Sequence, residues 1–385
     1  MLKDQFLLNP EITFLNHGSF GACPKPVFAD YQKWQLMLEQ EPIQFITKTG
    51  AKFLDASKQA LADFVNCNKE DLIYTTNPST ALNTVIKSLN LKAGDEILTT
   101  DQEYGAMDRT WNYYCRKVGA KYIHQNITLP LTTKEKFLEE FWSGLTPNTK
   151  IIFISQITSP TALIFPVKEI IERAKELGLM TIIDGAHAPA HIPLDIKALD
   201  PDVYTGACHK WLLAPKGSSF LYVKKNWQDT IDPLIISWGY EAEFPSESQF
   251  QDYHQYQGTR DFSAFLCTPA AIQFLKDNNW EERKKTCRDL LKHYYPIVAN
   301  ELESHIICPL TDEFLGQICS IPIHTEKPLE LKELLYEKHK IEIPIVSFSG
   351  DTYLRISFQA YNGAAEIETL INAIRDIKKE TTLLL

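Results

Sequence analysis

The sequence predicts an α/β protein: a large unit built on a mostly parallel, doubly wound sheet of seven strands, followed by a smaller α+β unit. Three observations carry that expectation. From about residue 70 to 225, short apolar runs alternate with helical stretches, the pattern of a parallel sheet with crossover helices. Several of those runs are almost continuously apolar, as strands covered on both faces must be. Beyond about residue 265 the pattern changes to a long charged helical stretch and a few short strands. The length of 385 residues exceeds what one small core needs and suits two lobes.

In chain order, residues 1–60 read as an N-terminal arm and helix that join the small lobe, 61–264 as the large lobe and 265–385 as the small C-terminal lobe. The strands of the large lobe are expected over 72–75, 96–99, 121–124, 151–155, 181–183, 203–205 and 220–223. A helix over 167–177 stops at Gly178, a residue that ends helices because it enters left-handed backbone freely. In the small lobe, one helical stretch is expected over 269–304, strands over 316–323 and 353–358, and a last helix over 364–379.

Composition narrows the function. Hydrophobic residues make up 44% and charged residues 23%, a globular balance rather than a disordered one. The net charge of −10, from 39 basic and 49 acidic residues, argues against a nucleic-acid partner, since phosphate backbones demand a basic surface. Charges interrupt the first residues before a signal-peptide core forms, and no run approaches the roughly 20 apolar residues of a membrane span. The eight cysteines form no C-x-x-C pair and read as thiols of a reducing, cytoplasmic compartment.

In an open α/β sheet, ligands bind beyond the carboxyl ends of the strands, so those ends were read in turn. After the first strand, Thr76-Asn77-Pro78-Ser79-Thr80 leads into a helix whose free N–H groups favour an anion. Ser79 and Thr80 add hydroxyls, although, taken alone, a plain helix cap explains them better. Asp184 ends a buried strand and needs a partner there. A protonated pyridine nitrogen is one such partner, and a helix cap or an ordinary ion pair is the alternative. His187 and His191 are four apart, but Pro189 lies between them and no H-E-x-x-H glutamate is present, which speaks against zinc. Lys210 follows a strand among apolar and aromatic neighbours. Desolvation there favours the neutral amine, the form that attacks an aldehyde. Lys216, in the same segment, reads as a surface lysine. Arg355 interrupts an apolar strand, where a guanidinium can clamp a carboxylate.

Together these pieces resemble the class V aminotransferase family of fold-type I enzymes dependent on pyridoxal 5'-phosphate (PLP). The residues responsible are Asp184-Gly185-Ala186-His187, Cys208-His209-Lys210-Trp211 with Ala214-Pro215-Lys216-Gly217, Gly258-Thr259-Arg260-Asp261 and Arg355-Ile356-Ser357. Within the family the chain looks most like the isopenicillin N epimerase-like branch, which also holds C–S lyases. The signs are Leu15-Asn16-His17-Gly18-Ser19-Phe20-Gly21, Glu103-Tyr104-Gly105-Ala106 and Ser357-Phe358-Gln359-Ala360-Tyr361-Asn362.

The resemblance implies that Lys210 holds PLP as a Schiff base, Asp184 pairs with its ring nitrogen and His187 touches its ring hydroxyl. It places Tyr104 against the ring and Ser79, Thr80 and His209 on the phosphate. Thr259 would reach the phosphate of a neighbouring subunit, which implies a homodimer. Arg355 would hold the carboxylate of an amino-acid substrate, with Asn16 and His17 nearby. The family's mobile-loop cysteine before that arginine has no counterpart after Cys319, which disfavours desulfurase chemistry. The expected reaction, at the substrate α-carbon, is epimerisation or C–S β-elimination, with transamination as an alternative. A silent PLP-fold protein and a zinc hydrolase on His187, His191 and Cys208 are the outlying readings.

Overall fold

A computed structural model of the chain describes residues 2–384. All seven expected runs of the large lobe are strands. β1 (Thr13–Phe14) lies in the N-terminal arm. β2 (Leu72–Thr75), β3 (Glu96–Thr100), β4 (Lys121–Gln125), β5 (Thr149–Ser155), β6 (Met180–Asp184), β7 (Val203–Ala207) and β8 (Ser219–Val223) then form one sheet in the order β2-β8-β7-β6-β5-β3-β4. Its neighbours pair in parallel except where β8 meets β2 and β7. The chain winds outward from β5 in one direction through β6 and β7, and in the other through β3 and β4.

Strand alternation explains why the runs are apolar throughout. Ile151, Phe153, Ile182, Val203 and Leu221 belong to one core cluster, with Trp111 and Met107 of the helix Gly105–Val118. Their neighbours Ile152, Ile154, Ile183, Tyr204 and Phe220 belong to the other, with Phe137 and Phe141. Side chains project alternately from a strand, so each face is buried under helices and the sheet carries two cores. A truncation such as Phe153→Ala removes about 3–5 kcal/mol from one of them.

The helix Val167–Glu176 stops as expected, with Gly178 at φ +68°. The stretch over 269–304 is two helices, Thr268–Asp277 and Trp280–Glu301. Asn279 between them takes left-handed backbone at φ +50°, a conformation that asparagine tolerates better than most residues.

The C-terminal lobe holds β9 (Ile318–Ile323), the short β10 (Ile341–Glu342), β11 (Ile345–Phe348) and β12 (Asp351–Ser357), with β11-β12-β9 forming an antiparallel sheet. β10 pairs in parallel with β1, which ties the N-terminal arm to this lobe. On β12, Leu354 and Ile356 face the core. Arg355 and Ser357 face the other way: Arg355 Nη1 donates to the Ser159 carbonyl at 2.6 Å and Ser357 Oγ to the Leu15 carbonyl at 3.2 Å. Register pairs Arg355 with Ser320, whose hydroxyl donates to the Pro160 carbonyl. This polar stripe joins β12 and β9 to Ser159 and Pro160, just after β5, and to Leu15 of the N-terminal arm.

Among the described residues, no helix is long and apolar enough to cross a membrane, and no three His, Cys, Asp or Glu side chains are grouped as metal ligands.

Candidate active site

A cleft of about 680 Å³ opens at the carboxyl ends of β3, β5, β6 and β7. Sheet register builds its floor, because Ser155 pairs with Asp184 and Asp184 with Thr205. The Asp184 carboxylate accepts one bond from the Ala186 N–H at 2.9 Å. Burial raises its pKa, while Ala186 and the nearby Lys210 ammonium work against the rise. Behind the floor, Glu103 accepts from the Ser155 N–H at 2.9 Å, the Ser155 hydroxyl at 2.6 Å and the Thr100 hydroxyl at 2.7 Å. These bonds fix the ends of β3 and β5. Burial nonetheless pushes the Glu103 carboxyl up to about 8.

Lys210 leaves the end of β7 in a tight turn. Its carbonyl accepts from the Leu213 N–H at 3.1 Å, and Leu213 takes left-handed backbone at φ +66°, a strain of about 1–2 kcal/mol for a residue with a Cβ. The amine points into the cleft, 3.0 Å from His187 Nε2. Burial and the Arg355 charge lower its pKa to about 8, against the Asp184 charge that raises it. The Trp211 indole N–H donates to His187 Nδ1 at 3.2 Å, and Trp211 stacks on His191 with centroids 3.9 Å apart. Burial holds His187 well below the ordinary imidazole range.

At one end of the cleft lie Thr76, Asn77, Pro78 and Ser79, at the start of the helix Pro78–Ser88. Asn77 is the cap, accepting from the Thr80 N–H at 2.8 Å. Thr80 is therefore turned into the cap, its hydroxyl 3.2 Å from Asn77 Oδ1 and 3.1 Å from the Thr76 hydroxyl. Ser79, not Thr80, lines the cleft. His209 also lines it. Its Nδ1 sits 2.8 Å from the Ser218 carbonyl and donates to it, leaving Nε2 for the cleft. Burial lowers its pKa to about 4.

At the other end is Arg355, 5% exposed. Nη1 donates to the Ser159 carbonyl and Nη2 to the Ser19 hydroxyl at 2.9 Å. Nε is buried without a partner and, among the described residues, no carboxylate pairs with the group, which burial lowers to about 10. Tyr104 also lines the cleft.

Besides Thr80, three expected residues lie elsewhere. Asn16 and His17 do not line the cleft. His17 is fully buried behind it, bonded at 2.8 Å to the Tyr361 hydroxyl and at 3.2 Å to the Lys210 carbonyl. Burial lowers its pKa to about 3. The same short helix, His17–Phe20, instead turns Ser19 and Phe20 into the cleft. Thr259 is exposed on the outer surface, between Gly258 and Arg260, which line a separate groove with Trp238 and Phe244. Lys216, read as a surface lysine, is exposed and also lines the cleft, as do Ile157, Ser159, Pro344 and Val346. Sequence reasoning missed Ile157, Pro344 and Val346, and it did not single out Ser19 within its motif.

The residues suit PLP: an amine, a carboxylate at the strand ends, and a helix N-terminus with Ser79 and His209 for a phosphate face one cavity. The chain matches the family model described as Aminotransferase class-V over residues 24–370. It belongs to that family. Class-V members use PLP, and this class-V chain is a PLP-dependent enzyme with the fold-type I architecture. It is 30% identical to the isopenicillin N epimerase of Amycolatopsis lactamdurans over 98% of each chain. It is 24% identical to a probable chloroplastic L-cysteine desulfhydrase of Arabidopsis thaliana, over 97% of this chain and 84% of that one. A cysteine desulfurase from Thermococcus onnurineus shares the fold at a TM-score of 0.85 and 20% identity, over 98% of this chain and 97% of the other.

Proposed function

We propose that this class-V enzyme acts at the α-carbon of a free amino acid or amino-acid derivative, by epimerisation or C–S β-elimination, with Lys210 as its base. The observation that carries the reading is Arg355: a buried guanidinium with an unpartnered Nε and no acid partner, opening on the cleft that holds Lys210 and Asp184. An unpaired buried charge is costly, and a substrate carboxylate is the ligand that satisfies it through parallel bonds.

When bound, PLP supplies an aldehyde that condenses with an amine and a ring that takes up the electrons released at Cα. Asp184 would pair with the ring nitrogen and favour its protonated form, which keeps the ring an electron sink. Ser79, His209 and the N-terminal turn of the helix Pro78–Ser88 would hold the phosphate, with Thr80 contributing through the cap. Because Nδ1 of His209 already donates to a carbonyl, Nε2 donates to an anion only after His209 gains a second proton. His187 and Tyr104, which line the same cleft, would hold the ring, His187 through its hydroxyl and Tyr104 through its face. Arg355 orients the substrate, helped by Ser19. Lys210, neutral in an appreciable fraction near pH 7, then takes the Cα proton. His17 supports the Lys210 turn and Asn16 the arm; both act behind the cleft.

Thr259 lies outside its own cleft, beside the exposed Trp238 and Phe244. That apolar surface supports a homodimer in which Thr259 serves the partner's cofactor. A cysteine-based sulfur transfer is the weaker reading, because no cysteine lines the cleft and the β11–β12 hairpin fills the stretch after Ile343.

Borohydride reduction of the PLP-loaded enzyme, followed by peptide mass mapping, tests the assignment. Label on the peptide carrying residue 210, and its absence in Lys210→Ala, are expected. Label on another lysine would overturn it. Turnover of amino acids and cysteine conjugates, followed by cofactor absorbance and product chirality, separates epimerisation from elimination.

A further inference from the structure

The cavity behind Lys210 contains a fully buried indole that the reaction does not touch. Trp211 packs flat on His191 with centroids 3.9 Å apart and lies 4.8 Å from the His17 ring. Its one polar atom points at His187 Nδ1, 3.2 Å away. An indole N–H is a donor and never an acceptor, so His187 Nδ1 must be the bare, accepting nitrogen. A neutral imidazole carries one proton, and here it sits on Nε2, the atom 3.0 Å from Lys210 Nζ.

His191 is fixed by the same logic in the opposite sense. Its Nε2 accepts from the Gln317 N–H at 2.7 Å, so its proton sits on Nδ1 and is given to the His187 carbonyl at 2.9 Å. The plate on which Trp211 stacks is thereby tied to the backbone of the residue that the indole orients.

We propose that Trp211 is a positioning residue that locks His187 as the Nε2–H tautomer, so that His187 presents a permanent donor to whatever occupies the Lys210 end of the cleft. Where Lys210 is neutral, above its pKa of about 8, that donor meets the lone pair of the amine. A charged Lys210 would set donor against donor there. This second half rests on the reading of Lys210 as the cofactor lysine. With PLP bound, the same N–H faces the ring hydroxyl and favours its ionised oxygen.

Trp211→Phe keeps the stack on His191 and removes the N–H. Histidine labelled with 15N reads both ring nitrogens of His187 in the apo protein, at a pH above the Lys210 value of about 8 so that the amine is neutral, with His187→Gln assigning the signals. The expected wild-type spectrum places the proton on Nε2 and shows Nδ1 shifted by hydrogen-bond acceptance. In Trp211→Phe, Nδ1 moves to the position of an unbonded nitrogen. A wild-type proton on Nδ1, or an Nδ1 signal unchanged in Trp211→Phe, overturns the proposal. If phenylalanine disturbs the packing, benzothienylalanine at position 211 replaces the N–H by sulfur in the same outline and is expected to give the same Nδ1 shift. In the loaded enzyme, Trp211→Phe should also move the cofactor's visible band. A shifted Nδ1 with an unmoved band would leave the tautomer lock standing and count against Lys210 and His187 as the cofactor's neighbours.

Discussion

Acylation of the apo protein as a function of pH is expected to mark Lys210 as an unusually acidic lysine. Burial and Arg355 bring its pKa from 10.5 to about 8. At pH 7 the neutral, nucleophilic fraction is then about one in ten, against about one in three thousand for an ordinary lysine, a gain of roughly 300-fold. The assay is brief labelling with acetic anhydride across the range from about pH 6 to about pH 10, with peptide mass spectrometry and exposed lysines of the same digest as references. The rate at position 210 should reach half its maximum near pH 8. Two variants fix the sign. Arg355→Gln removes a repelling positive charge, so the midpoint should rise. Asp184→Asn removes an attracting negative one, so the midpoint should fall. A wild-type midpoint with the reference lysines, or a rise in Asp184→Asn, would refute the electrostatic account of the site.

Three further outcomes are expected. Arg355→Gln should lower kcat/KM by about 10- to 100-fold for each charged bond lost, at ~1.5–3 kcal/mol a bond, without lowering Tm, because an unpaired buried charge goes with it; parallel kinetics and thermal melts check both. Sulfate, whose charge is constant near neutrality, should bind the apo protein more tightly as pH falls towards about 4, the pKa of His209, since Nε2 must gain a proton to donate; calorimetry should show this slope flattened in His209→Asn. Trp238→Asp combined with Phe244→Asp, at side chains each 85% exposed, should convert a dimer to a monomer in light scattering and loosen PLP.

The large lobe was legible because its signal is local. Buried strands such as 151–155 are apolar at every position up to their polar last residue, and each such terminus, Asp184 above all, announces the cleft. What escaped was set by packing between distant segments. One turn of the helix His17–Phe20 decides that Ser19 faces Arg355 while His17 is buried against Tyr361, and the motif alone carries no such phase. Lys216 is exposed, as its polar turn suggests, yet that turn stands at the cleft, a placement that only the fold reveals. Thr80 shows why hydroxyls are ambiguous, since they serve caps and anions alike: the neighbouring Asn77 accepts from its N–H. The break at Asn278-Asn279 hid because asparagine, unlike glycine or proline, does not announce a stop.

The reversed strand β8 has a mechanical consequence. It returns the chain alongside β7 as soon as the reactive turn is complete, with the Cys208 and His209 amides bonded back to Ser218. The anchoring lysine thus sits on a clamped bracket, and its reach is set by four methylenes rather than by backbone travel. Fitting substrates of different girth falls to the walls that other segments contribute, Ser19 and Phe20 on one side and Pro344 and Val346 on the other. Changes of substrate preference should therefore accumulate in those walls while the bracket stays as it is.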